Sequence, residues 1–562
     1  METSQSATLT EGEPRTSDAV RENDQKNAIK MAEPARRLLC AVMLSVALPQ
    51  LTLALAISSQ PLRAPSPRLS LSSPPETPTP AAAATSSALQ DKVATTSVVG
   101  ATALVAGTTV GAGILALPAK TLEAGFGPAS VALIGSWAYM AVSALLIAEV
   151  NVNTLCALER SSVSMSSMAR ETVGEAGAIA ASLAYAFIHY ALLIAYMLEG
   201  GKLLAELVPA LASLPPAVTP TLVFAAIGGG ALLASTEGAI ESANNALFAG
   251  VIASFVALVG IGASAVSADY LAHSIPSAAL PALPVMVLSF TFHNVVPTIA
   301  YQLGCDLPKI RTAILAGSAI PLAMFLAWNG VVLGSVPYEA AATANLSGEI
   351  FDPLAALRSA GDSLGDVVRI FSLLAIATSF IGFCLGLVDF YADLLGIESQ
   401  GAESQLAAAA GRNGVSEAAT EAPPLQPSSA FQQQEQQQVV AAAAAAEEEE
   451  EPSSYAVAVA IERPLPQKAA LYALALAPPL CIASWDPSLF FAALDTAGTF
   501  GILTLFGILP ALMAWSQRYG DGSDPAVPDV VPGGKTTLGF MIGGAALVIG
   551  LEVAEKLGVS MF

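Results

Sequence analysis

The amino-acid sequence predicts an all-α membrane protein in which two of about eleven transmembrane helices are broken. Its 562 residues are 54% hydrophobic and only 12% charged, whereas soluble proteins carry about 25% charged residues. Apolar segments of roughly bilayer length recur along the chain, and helix-breaking residues interrupt the first and the sixth. Broken helices in corresponding positions of two halves are typical of transporters with an inverted repeat of five helices and a binding site between the breaks.

The apolar segments of the predicted membrane domain, residues 97–556, begin at Val98. Many are rich in alanine, glycine and serine, which favour close helix packing in lipid. We expect helices over approximately residues 98–119, 127–150, 178–201, 219–235, 245–266, 281–303, 313–335, 367–390, 468–484, 488–514 and 536–556.

The first span contains the sequence GTTVGAGILALP, from Gly107 to Pro118. Unpaired backbone groups in hydrocarbon are costly, so three glycines and two adjacent threonines in mid-membrane need a compensating role. Glycine lets a ligand approach the backbone closely, and broken helices persist where the open backbone lines a cavity. The motif therefore predicts a substrate site near the middle of the membrane. The alternative is that these glycines serve only helix packing.

The sixth span reads LSFTFHNVVPTIAYQLG, from Leu288 to Gly304. Pro297 lacks a backbone donor and should leave a carbonyl unpaired one turn earlier. His293 and Asn294 lie close to it, and polar residues inside a membrane helix are costly enough to indicate function. The alternative for His293 is a packing role with its hydrogen bonds satisfied inside the bundle.

Residues 1–95 are predicted to form a targeting leader. Positions 31–57 combine basic residues with an apolar run, as a secretory signal does. Positions 58–90 are rich in serine, proline and alanine and poor in acids, as a plastid transit peptide is. The two in series indicate delivery to a chloroplast envelope. The alternative is an extra helix and a disordered linker, in the plasma membrane or another endomembrane.

Other features exclude several classes of protein. Much of the net charge of −22 lies in the first 25 residues and in Glu447–Glu451 of the low-complexity loop at 396–466, so it indicates no nucleic-acid partner. That loop is expected to be a solvated spacer. The five cysteines lack CxxC spacing, so we expect no disulfide framework, metal site or cofactor. With no P-loop, HExxH or nucleophile–base motif, the sequence predicts no enzyme and no catalytic residue.

Several ordered motifs together resemble the tryptophan/tyrosine permease family, the hydroxy and aromatic amino acid permeases. The resemblance starts with GTTVGAGILALP and covers about residues 97–555, apart from the low-complexity loop. Further motifs are AGFGP (124–128), HYALLIAYMLEGGKLL (189–204), FHNVVP (292–297), KIRTAILAGSAIPL (309–322), TSFIGFCLGLVDFYADLL (378–395) and GILPALMAW (507–515).

The resemblance implies the LeuT-type fold of the amino acid/polyamine/organocation superfamily, with a five-plus-five inverted repeat and eleven spans. It also implies a secondary active transporter that carries aromatic amino acids with protons. With its leader, the chain is similar to the plastid tyrosine permease-like proteins of algae and plants. The leader and the acidic loop depart from the compact bacterial pattern.

A zwitterionic amino acid needs both of its charged ends satisfied away from water. We expect the carboxylate at the N-terminus of a half-helix, where unpaired N–H groups and the positive dipole end converge, and the ammonium at free carbonyls. Tyrosines of the third span and phenylalanines of the sixth would surround the side chain. The predicted substrate-binding residues are Gly107, Thr108, Gly111, Ala112, Gly113, Tyr190, Tyr196, Phe290, His293 and Asn294, with Phe292 as a second aromatic wall.

Two hypotheses for the coupling ion stay open. His293 titrates near neutral pH and is expected to carry a proton. In the other hypothesis, the adjacent hydroxyls of Thr378 and Ser379 in the eighth span face carbonyls of the first span and bind sodium. Helix packing through these hydroxyls is the alternative to an ion site.

The leading interpretation is a proton-coupled symporter of tyrosine or tryptophan in a lipid bilayer. Within the same class, the alternatives are a sodium-coupled transporter and a transporter of other neutral amino acids. The alternative from a different class is a sensor that binds an amino acid without transporting it.

Overall fold

The structure is a computed structural model. It describes residues 97–111, 113–158, 163–213, 219–339, 351–359, 363–395, 464–485, 489–520 and 525–556. The predicted leader at 1–95, Ala112 and the predicted low-complexity loop up to residue 463 lie outside these ranges.

Within the described ranges the chain forms helices joined by short turns, and no β-strand occurs there. The α-helices are α1 (Val98–Thr109), α2 (Gly113–Thr121), α3 (Phe126–Leu158), α4 (Met165–Val173), α5 (Glu175–Leu207), α6 (Pro220–Ala234), α7 (Glu237–Gly262), α8 (Leu283–Ser289), α9 (Val296–Gln302), α10 (Leu307–Ser335), α11 (Pro353–Ser359), α12 (Ser363–Leu394), α13 (Leu465–Trp485), α14 (Phe490–Thr496), α15 (Leu509–Tyr519) and α16 (Gly534–Lys556). A π-helix over Ala497–Ile508 joins α14 to α15.

Nine helical segments of the described chain are long and apolar enough to cross a membrane, and the bent pair α1–α2 makes a tenth. With the shorter apolar helix α6, they match all eleven predicted segments. The prediction of an all-α, multi-span membrane protein is therefore confirmed. In span numbering, α1–α2 is the first span, α3 the second, α5 the third, α7 the fifth, α8–α9 the sixth, α12 the eighth and α14–α15 the tenth. The five-plus-five repeat stays a prediction.

The first span is broken between Thr109 and Gly113, and α1 and α2 meet there at an angle of 57°. Val110 has extended backbone, and its N–H donates to the carbonyl of Ala106. The hydroxyls of Thr108 and Thr109 donate to carbonyls of the preceding turn. Such side-chain bonds to the backbone compete with helix propagation, and the glycines beyond them weaken the helix further.

A tryptophan of α10 stabilises the second half of this span. Pro118, inside α2, cannot donate to the carbonyl of Ile114 four residues earlier. The indole Nε1 of Trp328 donates to that carbonyl instead, over 3.0 Å. Because a buried backbone carbonyl needs a partner, this bond holds α2 against α10.

The sixth span is interrupted over a longer stretch. α8 ends at Ser289, and an irregular segment and a 3₁₀ turn separate it from Val296, the first residue of α9. Pro297 lies in the first turn of α9, where a missing N–H removes no helix bond. The carbonyl of His293, which the sequence predicts to be unpaired, accepts the N–H of Val296. That expectation was wrong because the chain tightens into a 3₁₀ turn there.

The third span, α5, packs against α6, α12, α13 and the π-helix. Small residues permit this close packing. A Cβ atom on Gly501 of the π-helix would lie 2.3 Å from the side chain of Ile188 in α5, well inside van der Waals contact. The middle of α5 is therefore held on several sides, which fixes the side chains that it directs towards the two breaks.

Candidate functional site

A cavity of about 160 Å³ lies between the two broken spans and the third, fifth and eighth spans. Among the described residues that line it there is no aspartate, glutamate, lysine or arginine. Its polar surface comes from main chain, hydroxyls, amides and one histidine, and the rest is aliphatic and aromatic. A cavity of this kind suits a small ligand recognised by dipoles rather than by formal charges.

The first span lines the cavity with residues Gly107–Gly111 and Gly113. The C-terminal end of α1 and the N-terminal end of the nine-residue α2 meet here. The last turn of a helix has carbonyls without helix partners, and the first turn has N–H groups without them. The break therefore brings together partial charges of opposite sign within one small space.

Glycine suits this segment because two neighbouring spans come close to it. A Cβ on Gly111 would lie 3.1 Å from the hydroxyl oxygen of Ser379 in α12. A Cβ on Gly113 would lie 3.0 Å from the hydroxyl oxygen of Ser289 in α8, and 3.2 Å from its Cα. The broken segment thus contacts the eighth span on one side and the sixth on the other.

Three threonine hydroxyls at the cavity already use their protons. Those of Thr108, Thr109 and Thr378 donate to carbonyls of the preceding turn, at 2.9, 2.6 and 3.1 Å. A hydroxyl has one proton and two lone pairs, so each of these oxygens can offer only lone pairs to a ligand. They suit an ammonium group or a sodium ion rather than a carboxylate.

Two other lining residues have unmet hydrogen-bonding capacity. The hydroxyl of Thr291, in the break of the sixth span, is buried without a hydrogen-bond partner among the described residues. The same is true of Oδ1 of Asn244 in α7. Leaving a buried polar group unpaired costs about 1–3 kcal/mol. Both groups are placed to bind a polar ligand.

The third span contributes His189, Leu192 and Tyr196. Their spacing of three and four residues puts them on one helix face. The hydroxyl of Tyr196 interacts with that of Ser379. The ring of Phe383 in α12 contacts His189 at 5.0 Å and Tyr196 at 5.6 Å between ring centroids. Together with other lining phenylalanines, these rings give the cavity an aromatic surface.

The cavity brings together most of the residues that the sequence predicts for the site. Those that line it are Gly107, Thr108, Gly111, Gly113, Tyr196, Asn294, Thr378 and Ser379, together with the second aromatic wall, Phe292. Ala112 lies outside the described residues. Tyr190, Phe290 and His293 do not line this cavity.

Tyr190 and Phe290 make other contacts. The hydroxyl of Tyr190 donates to the carbonyl of Leu474, over 3.1 Å, and also contacts the hydroxyl of Tyr391. Six residues separate Tyr190 from Tyr196, which is about 240° around a helix, so the two tyrosines face different neighbours. Phe290 is fully buried against Phe325, with 5.1 Å between ring centroids.

His293 lies behind the sixth-span break, between the second and tenth spans. It is fully buried, and its Nε2 lies 3.1 Å from the carbonyl of Met140. Since a carbonyl can only accept, Nε2 carries a proton. The Nδ1 atom has no hydrogen-bond partner in the described part of the chain. The ring stacks on Phe506 of the π-helix, with 4.7 Å between centroids.

Four lining residues with polar or aromatic side chains were not predicted from the sequence: His189, Asn244, Thr291 and Phe383. A usable signal existed for His189 only. It lies seven residues before Tyr196, two turns along the same helix face, and the pairing of Tyr190 with Tyr196 obscured this relation.

Two ion pairs of buried charged side chains lie away from the cavity in the described part of the chain. Arg518 binds Glu149 through two bonds of 2.6 and 2.7 Å, and both side chains are 2% exposed. Near the C-terminal end of α5, Glu199 lies 3.3 Å from Arg358. The described residues include no group of three or more histidines, cysteines, aspartates and glutamates that could hold a metal ion.

Comparison with known proteins matches residues 94–552 to the tryptophan/tyrosine permease family. "Tyrosine-specific transport system 2" of Haemophilus influenzae is 32% identical over 302 residues, which are 52% of this chain and 73% of that protein. "Tryptophan-specific transport protein" of Pseudomonas aeruginosa is 30% identical over 310 residues, 53% of this chain and 72% of that protein. "Glutamine transporter 2" of Aliivibrio fischeri is 22% identical over 301 residues, which are 53% of this chain and 75% of that protein.

Proposed function

The chain belongs to the tryptophan/tyrosine permease family, and from that premise we propose that it transports tyrosine or tryptophan across a membrane. The relatives named for these two amino acids support this substrate class. The proposed transport is secondary and active, driven by an ion gradient, with the substrate held between the two broken spans.

One observation carries the proposal. The described residues that line the cavity at the breaks include no charged side chain, yet a helix C-terminus and a helix N-terminus meet there beside aromatic rings. A free aromatic amino acid has a matching arrangement of ammonium, carboxylate and ring. Dipoles that are already oriented replace water around both charged ends at little cost in reorganisation.

The polarity of the two half-helices sets the orientation of the substrate. The carboxylate binds the N–H groups of Gly111 and Gly113, where α2 begins, with the hydroxyl of Thr291 as a further donor. The ammonium binds carbonyls at the end of α1, from Gly107 onward, and the lone pairs of the Thr108 hydroxyl. Asn294 is placed to contact either end.

Two residue sets support different coupling ions. His293 has an unpaired Nδ1 in a fully buried position, which makes it our first candidate for a proton carrier, and proton symport the leading mechanism. Thr378 and Ser379 support the second candidate, sodium. Both line the cavity, and the Thr378 hydroxyl can offer only lone pairs, which are the ligands a hard cation prefers.

Uptake into proteoliposomes tests transport and coupling together. Purified full-length protein should accumulate labelled tyrosine or tryptophan under an imposed pH gradient without sodium. If accumulation needs a sodium gradient and is lost in Thr378→Val, the coupling ion is sodium rather than the proton. Binding without accumulation under either gradient would identify a sensor. Chemical change of the recovered amino acid would indicate an enzyme.

For location we propose a chloroplast envelope, on the basis of the leader composition at 31–57 and 58–90. Residues 1–95 fused to a fluorescent protein in an algal cell should direct it to the plastid. Fluorescence at the plasma membrane or another endomembrane would contradict this location and leave the transport proposal intact.

A further inference from the structure

We propose that His189 determines substrate specificity by accepting a hydrogen bond from the side chain of the bound amino acid. The donor is the phenol O–H of tyrosine or the indole N–H of tryptophan. The inference rests on the proposed transport function. It adds which group of the substrate is selected, and by which atom.

The hydrogen bond of the ring to its own helix sets which nitrogen is available. Nδ1 of His189 lies 2.8 Å from the carbonyl of Tyr185, four residues earlier in α5. A carbonyl can only accept, so Nδ1 carries the proton, and the neutral ring then has an acceptor at Nε2. No carboxylate is bonded to this ring in the described part of the chain, so nothing there stabilises a doubly protonated form.

The second nitrogen is directed away from α5. Because Nδ1 turns back to its own helix, Nε2 lies on the far side of the ring. It makes no hydrogen bond to a described residue, and the side chain lines the cavity although it is only 3% exposed. Nε2 is therefore a directional acceptor that the protein itself leaves unused, and unlike Oδ1 of Asn244 it belongs to a ring that packs against Phe383.

The surroundings of the ring suit an aromatic side chain. Phe383 contacts His189 at 5.0 Å between centroids, and Phe248 and Phe292 also line the cavity. A planar substrate ring can pack among these phenylalanines while its polar edge contacts Nε2.

The distance along α5 between His189 and the break of the first span also matches the length of a bound tyrosine. Tyr196, seven residues further along α5, interacts with Ser379, whose hydroxyl lies beside Gly111. Seven residues of helix rise by about 10 Å. This is comparable with the span from the carboxylate of an extended tyrosine to a hydrogen-bond acceptor beyond its hydroxyl.

The discrimination follows from the cost of an unpaired buried acceptor. Phenylalanine fills the same space but has no donor, so it displaces water from Nε2 without replacing its bond. A site built to bond a substrate hydroxyl rejects the analogue that lacks it much more strongly than an apolar pocket rejects a missing methylene. A single unmet bond of this kind corresponds to roughly a tenfold or greater loss of affinity.

Direct binding and uptake of labelled tyrosine, tryptophan and phenylalanine by the full chain in proteoliposomes test this role. Wild-type protein should favour tyrosine and tryptophan over phenylalanine by at least about tenfold. It should bind 4-fluorophenylalanine, which resembles tyrosine in size without the donor, as weakly as phenylalanine. In His189→Leu the affinity for tyrosine and tryptophan should fall to that for phenylalanine, which should be unchanged or higher.

Two further variants complete the test. His189→Gln keeps a side-chain carbonyl acceptor and should retain part of the preference for tyrosine. His273→Gln removes a histidine outside the cavity, whose Nε2 lies 2.7 Å from the carbonyl of Glu123, and should leave selectivity unchanged. Retained binding of phenylalanine by His189→Leu shows that this variant is folded.

The outcomes separate this inference from the proposed function. If wild-type protein binds phenylalanine or 4-fluorophenylalanine as tightly as tyrosine, the role of His189 is overturned while transport stands. The same conclusion follows if His189→Leu keeps the preference for tyrosine. If His189→Leu does not fold, two other measurements test the role of His189. They are the affinity of wild-type protein for tyrosine relative to phenylalanine and 4-fluorophenylalanine, and the tyrosine preference of His189→Gln. If wild-type protein accumulates none of the three amino acids, the proposed function itself fails.

Discussion

The helices of the first and sixth spans are interrupted in different ways. The first bends by 57° over a short gap and lines the cavity mainly with backbone, because glycine occupies the positions closest to its neighbours. The sixth is interrupted over a longer stretch and lines the cavity with side chains such as Thr291, Phe292 and Asn294. Its other two side chains, Phe290 and His293, are fully buried in the protein.

Because of this difference, we expect the two spans to bind different parts of the substrate. In the proposed complex, backbone dipoles of the first span would bind the ammonium and carboxylate that all amino acids share. The side chains of the sixth span, with those of α5 and α12, would then select a particular substrate and ion.

The largest expected effect comes from closing the first break. Gly113→Leu should abolish uptake, because its Cβ would lie 3.2 Å from the Cα of Ser289, and the backbone of α8 would have to move. Uptake of labelled tyrosine into proteoliposomes measures this. Gly135→Leu in α3 is the matched control, since no heavy atom lies within 4 Å of a Cβ there, and it should transport normally. Normal uptake by Gly113→Leu would show that the first break does not hold the substrate.

The next effect concerns energy coupling. His293→Gln should remove accumulation driven by a pH gradient and leave tyrosine binding and tyrosine–tyrosine exchange largely unchanged, because the side chain lies outside the cavity. Comparing net uptake with exchange in the same proteoliposomes separates these quantities. Persistent pH-driven accumulation would assign the proton to another residue.

A smaller effect is expected from a single hydroxyl of the sixth break. Thr291→Val keeps the shape of the side chain and should raise the Kd for tyrosine by about tenfold. Its thermal stability should be equal or higher, because a buried, unpaired hydroxyl is removed. Thr499→Val is the control: its hydroxyl is also buried without a partner among the described residues, but it does not line the cavity. Equal losses of affinity in both variants would contradict a direct contact with Thr291.

The smallest effect is expected for a tyrosine that the sequence predicts to be in the site. Tyr190→Phe removes a hydroxyl that bonds Leu474 and Tyr391 outside the cavity, and the KM for tyrosine should change by less than about twofold. Tyr196→Phe, in the cavity on the same helix, should change it more. A larger effect of Tyr190→Phe would mean that the substrate extends beyond the cavity described above.

The spans and their breaks could be predicted from the sequence because apolar length, glycine and proline act locally. The helix ends could not be predicted as well. α7 begins at Glu237 rather than at the predicted position 245, since a helix continues through polar residues where its hydrogen bonds remain satisfied. That difference placed Asn244 at the edge of the predicted span and hid its position in the cavity.

The side chains of the sixth break were harder to assign than those of a regular helix. Helical periodicity tells which residues share a face, but it is lost between Ser289 and Val296. Between Ser289 and Val296, pairs of cavity-lining residues follow single residues buried in the protein, in an order set by tertiary packing. This is why Phe292 and Asn294 line the cavity as predicted and Phe290 and His293 do not.

The arrangement of the half-helices has a stereochemical consequence. In the proposed complex, the end of α1, the start of α2 and the aromatic wall of α5 and α12 each contact a different substituent of one carbon atom. Three unlike attachments around a tetrahedral centre define a handedness. D-tyrosine, although chemically identical in every bond, satisfies only two of them at a time, so enantiomer selection arises from the geometry of the break itself.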